Sequence, residues 1–569
     1  MNGAALLAVG CIIFLAAYRF YGSLMEKLFG VDTSRKTPAV SRNDGVDYVP
    51  ARPAVLFGHH FASIAGAGPI VGPIMAAHFG WAAVALWIII GSVFIGAVHD
   101  FAALFLSVRH QGRSIGSVIE SLMGYWGRIL FLTFCWFALI LVAAVFANLV
   151  SGAFIAKPEV AAASLLFIAL AVVFGFFVYR RGVDLTKASL IFVPLMFGCV
   201  YAGNTFPLDL TAVLGCSSGT ARYIWTALLL LYCYVASVLP VWILLQPRDY
   251  LNSYLLYVMV ALGIIGIFFS APAIEMDAFT GFSALKPTSG SSEMLFPMLF
   301  VTVACGACSG FHALVSSGTT SKQVASEKHF KPIAYGGMLV EGVLALIALI
   351  AVAWMSSGDY AEAITKEKNV ILFAKGVAGF TKTIGVPVDI GVTFVSLALA
   401  AFLMTTLDTA TRLARFTWQE LFLPRSISED ESPSVPLTGF RKHASNRFVA
   451  TFAVVFVTGV LIVGGGSKSI WPIFASCNQL LAALTLLGTT LWLLKTGRKT
   501  GFIVLPMLFM LVTSGTATVM LFKSNLDSWL EKGFSEGGVL AVTSGCLMLM
   551  SVMLIVFGAA RLKDSFVKS

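Results

Sequence analysis

The stretch Phe57-Gly-His-His-Phe-Ala-Ser-Ile-Ala-Gly-Ala-Gly-Pro-Ile-Val-Gly-Pro73 lies in a run of membrane length, yet its middle is loaded with residues that spoil a helix. Gly66, Gly68 and Pro69 fall roughly 12 to 15 residues into a helix that the apolar pattern starts near Ala54. Proline removes a backbone donor and clashes with the preceding turn, and glycine tolerates the dihedrals that result. Lipid cannot hydrogen-bond the freed groups, so an interrupted span survives only where it is buried in protein or lines a watery cavity. The pattern therefore predicts a break near the bilayer centre, with bare carbonyls and amides available to a solute or an ion. A kinked packing helix with small residues at its interface is the structural alternative.

The rest of the chain supports a membrane setting. Of 569 residues 58% are hydrophobic and 12% charged, mean hydropathy is +0.89, and apolar runs of about 20 residues recur from end to end. Hydropathy predicts fifteen spans, near 4–22, 54–77, 82–108, 129–155, 160–179, 188–206, 223–245, 254–270, 296–320, 334–356, 389–411, 448–463, 471–494, 501–522 and 535–560. This is the pattern of an all-α polytopic membrane protein. The net charge of +10 is explained by sidedness: if the spans alternate, most of the 38 Lys and Arg fall on one set of connecting segments. The positive-inside rule then puts the N-terminus outside and the C-terminus in the cytoplasm. The first run, Ala4 to Tyr18, reads as a retained helix, since no cation precedes it and no small-x-small cleavage site follows.

Nine cysteines lie within or beside predicted spans and form no disulfide framework. Cys305 and Cys308 have the spacing of a redox or metal pair, but on an apolar helix they read more simply as small side chains permitting close contact. No Walker A loop, nucleophile elbow or HExxH motif is present, which argues against a primary pump and an intramembrane hydrolase.

Two further segments depart from plain helix. Cys308 to Lys322 carries five hydroxyl residues between 316 and 321, Ser316, Ser317, Thr319, Thr320 and Ser321, close to His312. Such hydroxyls present oxygen ligands to Na+ or a relay for protons, or back-bond to their own helix carbonyls. In Ser237 to Tyr250, Pro240 is expected to kink the seventh span, with Gln246-Pro247-Arg248-Asp249 at its cytoplasmic end. Arg248 and Asp249 read equally as a gate pair or an interfacial cap.

Ionisable residues inside the spans are His59, His60, His99, Asp100, His312, Glu341 and Asp408. A charge at the bilayer centre costs at least about 2.5–3.5 kcal/mol, so each should face the protein interior. The assumed topology places His59, His60, Asp100, Glu341 and Asp408 one to three turns from the cytoplasmic surface, where they are expected to form one inner cluster. Asp408 and Arg412, spaced i, i+4, are equally read as a pair along one helix. Asn478 and Gln479 are expected to bond between helices. Adjacent helical histidines diverge by about 100°, so a metal at His59 and His60 is not expected.

His59-His60-Phe-Ala-Ser-Ile-Ala-Gly-Ala-Gly-Pro69, Gly96-Ala-Val-His-Asp-Phe101, Gln246-Pro-Arg-Asp-Tyr-Leu-Asn252, Ser309 to Gln323, Tyr335 to Glu341 and Thr406 to Arg412 resemble the signature blocks of the carbon starvation protein A family. The resemblance implies an inner-membrane transporter of peptides or, in some members, pyruvate taken up with protons. Through the amino acid, polyamine and organocation superfamily it also implies a leucine-transporter-like core of two inverted five-helix repeats plus peripheral helices. On that frame residues 1–53 hold an N-terminal helix and loop, 54–206 and 207–420 the two repeats, 421–447 a cytoplasmic linker, and 448–569 four peripheral helices. The implied substrate site is Ser63, Gly66, Ala67, Gly68, Pro69, Ser237, Pro240, Trp242 and His312. The implied ion-coupling set is His59, His60, Asp100, Ser316, Ser317, Thr319, Thr320, Glu341 and Asp408, with the four hydroxyls opposite the backbone near Ile64 to Gly66. The expected function is cation-coupled alternating access without a cofactor, the coupling ion being H+ or Na+. The alternative is a transporter-like nutrient sensor that signals without net transport.

Overall fold

The computed structural model describes residues 2–45, 48–240, 243–366, 369–423, 439–465 and 470–568. Thirteen of its helices are long and apolar enough to cross a membrane, and the bent pair Pro53–Ile64 and Gly68–Phe79 raises the count to 14. The ninth expected span, 296–320, is two short helices, Leu295–Thr302 and Gly310–Gly318. The two spans that fail as continuous rods thus coincide with two irregular stretches of sequence.

The first break follows from local chemistry. The helix from Pro53 closes its last turn at the Ala65 amide, which donates to the Phe61 carbonyl, and Ala65 leaves helical geometry at ψ 60°. Pro69 has no amide to continue the ladder. The chain restarts when Ile70 and Val71 donate to the Ala67 carbonyl, and the halves meet at 42°.

The second break, around a 3-10 turn at Ala304–Gly306, lies against the first. A Cβ on Gly72 would stand 2.3 Å from the Val303 carbonyl oxygen, and one on Gly68 would stand 2.5 Å from Cys305 Sγ. Bare glycine lets two main chains touch where each has left regular helix. Asn478 then binds the second break, accepting from the Phe311 amide at 2.9 Å and donating to Ser309 Oγ at 3.1 Å. Gln479 donates to the Phe300 carbonyl.

The packing around the breaks is reciprocal. Gly68–Ala76 packs on Gly336–Ala353, the helix that follows the second break. Gly310–Gly318 packs on Ala97–Arg109, the end of the span that follows the first. The long helices Ile115–Ala156 and Val388–Leu421 pack on each other.

Three expectations are corrected. Pro240 does not kink a span: the helix Ser218–Val238 ends before it, Leu239 is extended, and Pro240 is exposed. Proline is common just past a helix end because it cannot continue one. Arg248 and Asp249 are no interfacial cap, because both side chains are 1% exposed near the start of the helix Leu245–Ser270. The helix Ile470–Lys495, expected at the periphery, is 94% buried in its apolar window and packs on Ile115–Ala156 and Gly310–Gly318.

Candidate functional site

Four ionisable side chains from three elements meet beside the first break, all fully buried. Asp100 Oδ2 lies 2.7 Å from His312 Nδ1, and Asp100 Oδ1 lies 2.8 Å from His99 Nδ1. On the other edge of the His312 ring, Nε2 stands 3.3 Å from Glu341 Oε2, at ion-pair distance but outside hydrogen-bond geometry. The helix Gly310–Gly318 that carries His312 packs on Pro53–Ile64, the half-helix that ends at the break. The interrupted span and the buried charges are therefore neighbours.

His60 joins this group from the first half-helix. Its Nδ1 is 2.9 Å from Thr320 Oγ1, and its ring faces Gly337, where a Cβ would lie 3.5 Å away. A glycine one turn before Glu341 leaves room for that ring. His60 Nε2, His99 Nε2, Ser316 Oγ and both Glu341 oxygens are buried without a hydrogen-bond partner. Buried polar groups are normally satisfied, so this concentration singles the cluster out as the candidate functional site.

Asp408 and His59 do not belong to that cluster, which corrects the single-cluster expectation. Arg248 Nη1 bonds both Asp408 Oδ2 and the Tyr232 hydroxyl, and Tyr232 donates to Asp408 at 2.7 Å. Asp249 stands 3.6 Å from Arg248 and 3.4 Å from His59 Nδ1. Asp408 thus finds its cation on another helix. Arg412 instead donates to the Ala236 and Leu239 carbonyls, and Arg415 to the Ser237 carbonyl. Two cations at a helix C-terminus satisfy its free carbonyls and oppose its dipole.

The expected substrate residues separate. Ser63, Gly66, Ala67, Gly68 and Pro69 are all buried at the break. Ser63 Oγ donates to its own helix, at the His59 carbonyl. Ser237 and Pro240 are at the capped helix end, away from Gly66–Pro69, and Trp242 lies outside the described residues. His312, expected at the substrate, sits inside the ionisable cluster.

The expected hydroxyl set also divides. Thr320 reaches His60, while Thr319 Oγ1 donates to its own helix at the Val315 carbonyl. Ser317 Oγ is buried and unpartnered. A hydroxyl that does face the break is Thr406, whose Oγ1 would lie 2.8 Å from a Cβ on Gly66. Sequence reading missed it because Thr406 lies on a regular helix, distant in the chain from Gly66. Its buried, unpartnered oxygen is a signal that only the fold exposes.

Two cavities approach these groups. One of about 900 Å³ is bounded by Pro53, Phe57 and His59 of the first half-helix and by Tyr250, Tyr254 and Tyr257. It reaches His59 but is not lined by Gly66–Pro69. A second, of about 420 Å³, reaches Ser317.

The family profile described as "Carbon starvation protein CstA" matches residues 2–371 and 361–517. The chain is similar to the peptide transporter CstA of Bacillus subtilis, 33% identical over 99% of this chain and 97% of that one. It is similar to the peptide transporter CstA of Campylobacter jejuni, at 33% over 90% and 79%. The pyruvate/proton symporter BtsT of Escherichia coli is 32% identical over 90% and 81%. Among solved structures, an Eremococcus coleocola manganese transporter aligns at TM-score 0.49 with 12% identity, over 92% of this chain and 99% of that one. MhsT in complex with L-phenylalanine aligns at TM-score 0.45 with 13% identity, over 88% and 99%. These scores carry no assignment of their own. The profile and the sequence relatives do: this multi-pass membrane protein belongs to the carbon starvation protein CstA family.

Proposed function

We propose that the chain is a proton-coupled secondary transporter importing a small carboxylate-bearing nutrient, a peptide or a pyruvate-like acid, by alternating access. The observation that carries this reading is the packing of the broken helix against the buried ionisable cluster: its first half lies on the helix that carries His312, and its His60 bonds Thr320 just past the end of that helix. The relatives named as peptide transporters and as a pyruvate/proton symporter supply the solute class.

The charges suggest how coupling works. With Asp100 and Glu341 ionised and His312 cationic, the buried group carries one net negative charge in a medium of low dielectric. One further proton, at Glu341 or on a neighbouring imidazole, makes it neutral and lets it stay dry. Loss of that proton restores a charge that needs water, and water reaches this depth when helices separate. Proton occupancy thereby biases a two-state arrangement of the broken segments. Histidine suits this role because its unperturbed pKa of about 6.5 lies near physiological pH.

The reciprocal packing favours a second repeat opening at Leu295, and not at residue 207. Each repeat then begins with a broken span, continues with a span carrying a π-turn, Ser92–Gly96 or Lys331–Tyr335, and includes one of the two longest mutually packed helices. If the expected spans alternate, the two breaks run in opposite directions, as inverted repeats require. The cation distribution supports an outer N-terminus and a cytoplasmic C-terminus in the inner membrane. Burial of Arg128, Arg248, Arg412 and Arg415 removes only four cations from the inner set, and its excess persists.

Uptake of radiolabelled pyruvate and alanyl-alanine into proteoliposomes, under separately imposed proton and sodium gradients, tests the reading. An inward proton gradient should drive accumulation of at least one solute, and Asp100→Asn should lower it about a hundredfold. Accumulation driven by sodium alone, or ligand binding without any uptake, would overturn it.

A further inference from the structure

The 420 Å³ cavity is lined by none of the ionisable cluster and mixes apolar walls with charged and hydroxyl side chains. Its walls come from the turn before the long helix Ile115–Ala156, from the end of Gly310–Gly318 and from the last turns of Val388–Leu421. Four observations converge on it. The 42-residue helix opens there, so the amides of Ile115 and Gly116, which have no partner within the helix, face the same space. Lys322 lines it, with its ammonium 5.6 Å from the Tyr48 ring centre and in no ion pair with a described residue. Ser317 lines it as well, 1% exposed, and its Oγ has no hydrogen-bond partner. Among the described lining residues the charged groups are Arg113, Lys322 and Glu420, and the carboxylate accepts from Ser114 Oγ at 2.6 Å.

Amides at a helix N-terminus, a cation and an unused buried hydroxyl together form a receptor for a carboxylate. The volume lies within the range of small-molecule sites and accommodates a three-carbon acid or a dipeptide. We infer that this cavity is a docking vestibule for the carboxylate of the transported solute, with Lys322 supplying the charge and Ser317, Ile115 and Gly116 the hydrogen bonds. The inference rests on the transporter reading and adds a site to it.

The placement also explains why the hydroxyl run matters. Ser317 and His312 share one nine-residue helix, and Thr320, just past its end, bonds His60. A carboxylate held at Ser317 therefore sits on the element that carries the central imidazole of the proton cluster. Solute leaving or entering this cavity and proton gain or loss at His312 act on the same short rod.

Equilibrium binding of radiolabelled pyruvate and alanyl-alanine to the purified full-length protein in detergent, paired with proteoliposome uptake, tests the inference. Lys322→Gln should weaken the affinity for the bound probe about tenfold and flatten its salt dependence. Lys322→Arg, which keeps the charge, should recover most of the affinity, and Ser317→Ala should cost about threefold. If Lys322→Gln and Ser317→Ala both bind the probe with wild-type affinity while wild-type uptake proceeds, the vestibule is wrong and the transporter reading stands. If the wild-type protein neither binds nor moves either probe under any gradient, both fall. A folding defect is separated by the Lys322→Arg variant and by the thermal midpoint of each protein.

Discussion

Two buried ionisable groups flank the first half-helix, and they differ in what a proton can do to them. The His99, Asp100, His312 and Glu341 group is built from imidazoles and carboxylates, groups that exchange protons near neutral pH. The Arg248, Asp408 and Tyr232 group is built around a guanidinium, which stays protonated in proteins. Unpartnered atoms remain in both, on His99, Glu341 and neighbouring His60 in the first and on Arg248 Nε and Nη2 and Asp408 Oδ1 in the second. In the second, direct contacts join three helices around a charge that no proton removes. On the proposed reading, charge switching belongs to the first and fixed positioning to the second.

The largest effect should come from breaking the fixed group. Arg248→Ala leaves Asp408 buried without its cation, at a cost of about 3–5 kcal/mol, read as a lowered thermal midpoint in detergent. The double replacement Arg248→Met with Asp408→Leu should recover most of that loss, because removing a whole buried pair is often neutral. A double variant no more stable than the single one would mean that the group does more than hold helices together.

Next in size is the switching group. Asp100→Asn should lower proton-driven uptake about a hundredfold, the lower end of what proton transfer by a positioned side chain contributes. Glu341→Gln keeps the shape of the protonated acid, and should retain the fold and solute exchange while losing accumulation against a gradient. Equal accumulation by Glu341→Gln and wild type would remove Glu341 from coupling.

The crossing of the two breaks should be less sensitive. Gly72→Ala drives a methyl group into the Val303 carbonyl and should cost about 1–3 kcal/mol, measured as a shift in the unfolding midpoint. A neutral substitution would show that the breaks are not held in contact.

The smallest effect lies outside the spans, where the hairpin of Ser283–Leu285 and Ser292–Met294 meets the end of the second half-helix. Burial works against ionisation of Glu293, but His78 Nε2 at 3.1 Å and Lys286 Nζ at 2.9 Å outweigh it and hold the carboxyl below its ordinary value. A depressed pKa stabilises the fold above the unfolded value, about 4.3, and that contribution is lost as pH falls through the lower folded value. Amide exchange across residues 283–294 should accelerate in that acid range, and Glu293→Gln should remove the pH dependence at a cost below about 1 kcal/mol.

Legibility in the sequence followed the range of the forces involved. The first break was readable because Gly66, Gly68 and Pro69 act through covalent geometry within one turn. The second was only half readable. The hydroxyl run announced an irregular end, but Ala304 at φ 48° carries no local signal, and its turn lies between Gly72 and Asn478, each more than 170 residues away in one direction or the other. Arg248 read as a cation at the membrane edge because hydropathy cannot see Asp408, 160 residues on. Composition identified His59, His60, Asp100, Glu341 and Asp408 as interior, and only the fold sorted them into two groups. Thr406 and Lys322 fall inside family-like blocks, but nothing in the sequence placed one at the break or the other at a cavity, since both depend on which helices become neighbours.

The central claim is that proton movement at the His312 group accompanies solute movement. The direct measurement loads proteoliposomes with a pH-sensitive dye, imposes a solute gradient with no initial pH difference, and follows internal pH. The wild-type protein should acidify the interior as solute enters, while Glu341→Gln exchanges solute with no pH change. Solute entry by the wild type at constant internal pH would contradict the account.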